Sequence, residues 1–167
     1  ETHPDTHYFL YVAGSRYWKA VPYSTISALL RARLGVSPDD SADEVRAYLR
    51  QLLCFSMTGR VASKEEDLSP KQKLEVDTLS AAIEALPGLI PGAKRAAWGQ
   101  AQKTTIHTAI VRWLHHVTRK VPVVFIVRDL QQVDQASQQL IAEILEALRS
   151  QPLFFLASAR DASSVDA

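Results

Sequence analysis

Cysteine is almost absent: Cys54 is alone in 167 residues. No internal disulfide framework can therefore form, and the usage suits a reducing cytoplasm. An excess of one charge is also missing. Nineteen basic and eighteen acidic side chains leave a formal charge of +1, which supplies no electrostatic case for nucleic acid or an anionic membrane. No apolar run approaches the roughly 20 residues that span a bilayer. The first apolar stretch, Tyr8 to Ala13, is too short for a signal peptide and has no basic leader.

Several chemical signatures are missing too. A phosphate-cradling loop reads GxxxxGK[ST]. The nearest stretch, "GLIPGAKRA" from Gly88, misplaces its lysine, lacks the hydroxyl residue, contains Pro91 and follows a helical pattern. No GxSxG elbow anchors a hydrolase triad. His115 and His116 are adjacent and point apart on a helix, and His107 lies too far back to chelate with them. Trp18, Trp98 and Trp113 read as packing residues rather than a base-stacking platform.

What is present is ordinary globular composition, 47% apolar and 22% charged, in a length that suits one domain over residues 1–167. "HYFLYVAGS" (7–15) reads as a buried strand closed by Gly14 and Ser15. Pro22 is placed to start a helix that runs to Gly35. Val45, Tyr48, Leu49, Leu52 and Leu53 give an amphipathic helix, residues 56–70 a loop, and Leu74, Leu79, Ile83 and Leu86 a third helix. A longer helix is expected between 97 and 119, with Ile106, Ala109, Ile110, Trp113, Leu114 and Val117 as its apolar stripe. Strand 123–127, a helix carrying Leu140, Ile141, Ile144, Leu145 and Leu148, and strand 152–158 follow. Uniformly apolar strands joined by helices indicate an α/β fold, a three-layer parallel sheet flanked by helices on both faces.

In such sheets ligands bind beyond the carboxyl ends of the strands. Gly14, Ser15, Arg128, Asp129 and the residues from Ser158 to Asp161 leave those ends. Asp129 can serve as a magnesium-shell or water-orienting acid, or simply cap the following turn. Asp134 reads as the N-cap of the next helix, with Ser137 three positions on. Arg160 is placed either to reach a phosphate or to lie on a plain surface.

Together, "VPVVFIVRDLQQVDQASQQLIAEILEALRSQPLFFLASARD" resembles the Walker B to sensor region of AAA/STAND-type P-loop regulatory ATPases. These modules occur in bacterial multidomain regulators and adenylate cyclase-linked signalling proteins. Asp129-Leu130-Gln131, Asp134, Ser137 and Arg160 fall on the family pattern in order, and "YVAGSRYWKAVPYSTISALLRARLG" is similar to an earlier part of it. The resemblance implies a P-loop NTPase-like fold, truncated at its N-terminus because the phosphate loop should precede Glu1. It implies a portion of a nucleotide-binding signalling or transcription-regulating protein. ATP and magnesium would be bound in the intact parent, and none is expected for this chain alone. Asp129 would be the catalytic and metal acid and Arg160 would sense the nucleotide's phosphate, and the departing Arg128 is placed to contact phosphate directly. Two residues depart from the pattern. Arg128 stands where the family has its first acid, and Gln132 where it has tryptophan. These departures motivate an alternative, an interaction module that keeps the fold and lacks the chemistry. A small-ligand or flavodoxin-like α/β domain is a third option. Partners are expected to be other domains of the parent or a second copy covering an open sheet edge, with no nucleic acid or membrane contact.

Overall fold

The computed structural model describes residues 7–60, 64–93 and 99–160. Strand β1 (Tyr8–Ala13) is followed by helices α1 (Ser24–Leu34), α2 (Ala42–Thr58), α3 (Pro70–Glu84) and α4 (Gln100–Thr118). Strand β2 (Val123–Arg128), helix α5 (Gln135–Ala147) and strand β3 (Leu153–Ala157) complete the order. The strands form one parallel sheet in the order β1-β2-β3.

Local chemistry sets the helix limits. Ser41 accepts from the Glu44 N–H while the Glu44 carboxylate accepts from the Ser41 N–H, and Ser69 with Gln72 repeats this capping box on α3. Pro70 occupies the first helical turn of α3, where its missing N–H has no partner to lose. Gly35 and Gly59 end α1 and α2 at φ 69° and 75°, in the left-handed region that side chains with a Cβ resist.

The sheet buries one face. Tyr8, Leu10, Val12, Val123, Phe125 and Val127 point into the helical layer, where Ile26, Leu30, Leu53, Ile110, Trp113 and Ile144 meet them in one core. Trp113 stands edge-on to Tyr8, with ring centroids 6.4 Å apart. On the other face, Phe9 and Phe154 are each 61% exposed, and Tyr11 and Leu156 are also exposed. Register places Phe9, Val124 and Phe154 in one row and Tyr11, Ile126 and Leu156 in the next.

The expected three-layer sheet is therefore corrected to two layers among the described residues. The apolar strand composition suited a sheet covered twice, but all five helices lie on the same side. Other expectations shift less. Leu74 is exposed, and Val76 with Leu79 and Ile83 carries the buried face of α3. The segment 56–70 is only partly a loop, since α2 continues to Thr58 and Glu65–Asp67 make one 3-10 turn. Leu68 is buried there, and Arg50 pairs with Glu65, which ties the turn to α2. Helix α1 starts at Ser24, two residues past Pro22. Trp113 packs as expected, Trp18 is 60% exposed, and Trp98 lies outside the described residues.

The one-sided core makes neighbouring strand positions respond oppositely. Leu10→Ala is expected to lower unfolding stability by about 2–4 kcal/mol, whereas Phe9→Ser one residue away leaves it nearly unchanged. Urea denaturation of both variants checks this, and a large loss at Phe9 would show that its face is covered.

Candidate functional site

The carboxyl ends of the three strands are laced together by backbone. The Gly14 N–H donates to the Arg128 carbonyl at 2.8 Å, and the Ser158 N–H donates to Val127 at 3.0 Å. The chain then reverses. Asp129 adopts a left-handed conformation (φ 54°, ψ 54°), which aspartate tolerates better than most residues. Leu130 to Gln132 form a single 3-10 turn, whose Gln132 N–H returns to the Asp129 carbonyl. Leu130 is pinned to the third strand end by its N–H donating to the Ser158 carbonyl at 2.8 Å.

Gly14 is required by space rather than by its φ. A Cβ built there would lie 2.5 Å from the Asp129 carbonyl oxygen and 2.8 Å from backbone atoms of Gln132 and Val133. The end of β1 thus touches the turn that carries Asp129, and only hydrogen fits between them.

The structure brings Arg128, Asp129 and Arg160 together. Arg160 Nε donates to Asp129 Oδ1 at 3.1 Å, and Arg128 Nε lies 3.5 Å from Oδ2. The Asp129 side chain is 18% exposed and Arg160 84%. Pairs this open to water contribute about 0–1 kcal/mol, so the guanidiniums are held loosely. Two cations against one carboxylate leave a positive charge over at the sheet end. That donor set suits a phosphate, which takes arginine forks well. It suits magnesium poorly, because both carboxylate oxygens face guanidinium groups. Among the described residues, no group of three or more His, Cys, Asp or Glu side chains could hold a metal. An ion at Asp129 would need most of its ligands from water or phosphate.

Asp134 follows from the same turn and does more than cap α5. Its Oδ1 accepts from the Ser137 N–H at 2.9 Å and the Tyr23 N–H at 2.7 Å. Its Oδ2 accepts from the Ser137 hydroxyl at 2.7 Å, the Thr25 N–H at 3.0 Å and the Ser24 hydroxyl at 3.1 Å. One carboxylate therefore caps α5 and the start of α1. Burial pushes its pKa upward, but the donors from Thr25, Ser137 and Tyr23 outweigh this and hold it below the usual carboxylate range. Tyr23 itself is left-handed (φ 61°) and fully buried, and its hydroxyl bonds His107 Nε2 at 2.8 Å. His107 Nδ1 meets Glu143 at 2.7 Å.

Sequence reasoning found the three strand-end residues and the α5 cap. It missed the reach of Asp134 to α1, because Tyr23 and Thr25 are more than 100 positions away and no local pattern marks the pairing. It also missed the Tyr23–His107–Glu143 chain for the same reason. No family model matches the chain, and neither a curated protein nor a solved structure matches it.

Two outcomes test this geometry. Asp134→Ala is expected to destabilise by about 2–4 kcal/mol, since it strands several buried donors. The folded pKa of Asp134 lies below its unfolded one. Its contribution is thus complete above the unfolded carboxylate range and is lost as pH falls through the folded value. Denaturation from neutral to acidic pH should show a steeper stability loss in the parent than in the variant. Gly14→Ala is expected to destabilise by about 1–3 kcal/mol through backbone overlap. A thermal midpoint unchanged from the parent's would refute the close approach.

Proposed function

We propose that this chain is a portion of a nucleotide-binding regulatory ATPase module, with a Walker B-like strand at 123–129 and a sensor-like Arg160, in which nucleotide state controls attached domains. The observation that carries the reading is the convergence of Arg128, Asp129 and Arg160 at the carboxyl ends of a parallel sheet. Two further features support it. The outer edge of β3 has no paired strand among the described residues, and the exposed sheet face could receive a helix. A strand–loop–helix unit added there would pair with β3, cover Phe154 and Leu156, and open its loop beside Arg160.

In this reading Arg160 senses the terminal phosphate and Arg128 adds a second cation to it. Asp129 holds Arg160 in reach and is the residue that would orient the attacking water. ATP with magnesium would supply the phosphoryl group and its charge neutralisation. With Arg128 standing where an acid would hold the magnesium water, hydrolysis is expected to be slow.

A second reading has its own support: both oxygens of Asp129 already face arginines. A module built this way can keep the fold for protein contacts and perform no hydrolysis.

Calorimetry on the protein in its full natural length separates the outcomes. ATP and ADP are expected to bind, and Arg160→Gln should weaken ATP about tenfold more than ADP, a difference near 1.4 kcal/mol. Absence of affinity for either nucleotide would sink the first reading. Measurable ATP hydrolysis by the unaltered protein would refute the second.

A further inference from the structure

A cavity of about 600 Å³ opens at the opposite end of the sheet, where β1 and β2 begin. Its walls include Tyr8, Arg33, Leu34, Tyr48, Phe55 and Val121. The volume lies within the range of small-molecule sites, which pair apolar walls with a few convergent polar groups. Tyr8 stacks on Phe55, with ring centroids 5.9 Å apart and planes 14° from parallel. The Arg33 guanidinium lies over the Tyr8 ring, 4.2 Å from its centroid.

The charge here is one-sided. Among the described residues, no carboxylate lines the cavity and Arg33 makes no ion pair. Lys120 runs past Gly59 at the rim, its Cδ 3.6 Å from where a glycine Cβ would stand.

A second, independent feature points the same way. Tyr8 is 3% exposed, and its buried hydroxyl proton has no acceptor among the described residues, since the neighbouring Arg33 guanidinium can only donate. An unsatisfied buried donor is a standing cost to the fold. Burial raises the Tyr8 pKa to about 12 despite the opposing charge and hydrogen-bonding pull of Arg33 on the phenol oxygen, so the hydroxyl stays protonated and its proton can still gain an acceptor.

We propose that this cavity binds a small aromatic carboxylate. The guanidinium of Arg33 takes the anion, and the rings of Tyr48 and Phe55 with Leu34 and Val121 cover the aromatic body. As Arg33 turns from the Tyr8 ring to the anion, it uncovers the Tyr8 hydroxyl, which donates to the same carboxylate. The flat aromatic walls favour a ring over an alkyl chain. A six-residue strand separates this site from Asp129, about 17–20 Å along the sheet, so it does not depend on the nucleotide reading.

Calorimetric titration with 2-naphthoate, 2-naphthamide and octanoate tests the assignment. Naphthoate is expected to bind, with the neutral amide and the alkyl acid each at least tenfold weaker. Arg33→Gln, at an exposed position, should weaken naphthoate at least tenfold. Asp129→Asn should leave it unchanged. Tyr8→Phe should weaken it several-fold while the unliganded variant unfolds at the same temperature as the parent or higher. The proposal is overturned if naphthoate fails to bind at millimolar concentration, if the amide binds equally, or if Arg33→Gln has no effect. A marked loss of unliganded stability in Tyr8→Phe would also overturn it, because the hydroxyl would then already have a partner.

Discussion

The buried carboxylate of Asp134 ties the start of α1 to the start of α5. It accepts from the first turn of α5, from the first turn of α1 and from the left-handed Tyr23 just before α1. A charge in that position is tolerable only because its oxygens are met by five donors. In return it fixes where α1 and α5 begin relative to the ends of β1 and β2. Asp129 is five residues before it, so the turn that carries the candidate site runs directly into this buried group.

The two ends of the sheet differ in character. At the carboxyl ends, backbone is packed so closely that Gly14 admits no Cβ, and the functional groups stand outward in water as long arginines. At the amino ends, the side chains are rings around a cavity, with one guanidinium lying on a buried phenol. The first arrangement gives a rigid floor with adaptable charges, which suits a phosphate group. The second gives a preformed apolar volume with one charged contact, which suits a small organic anion.

The sheet face left uncovered among the described residues is the clearest physical tension in the structure. Parallel sheets occur almost only with both faces covered, yet Phe9, Tyr11, Phe154 and Leu156 are exposed together. An apolar face next to an open parallel edge invites association. A covering unit there would also bring new backbone to the side of β3 nearest Arg160.

Much of the fold was legible from the residues because its signals are local. Helical spacing located α2 and α4, Gly35 marked the end of α1, and the apolar runs located all three strands. Asp134 was readable as a cap because Ser137 follows at the required spacing. The sequence alone thus determined the elements, their order, their parallel α/β character and the presence of Arg128, Asp129 and Arg160 beside strand ends. Tertiary structure alone decided which sheet face is covered, since an apolar strand residue looks the same whichever side meets a helix. It also decided that Tyr23 and Thr25 share the Asp134 carboxylate, that Gly14 meets the Asp129 turn, and that the Tyr8 hydroxyl is sealed under Arg33. Each of these joins residues far apart in the chain, and only the packed core fixes such distances.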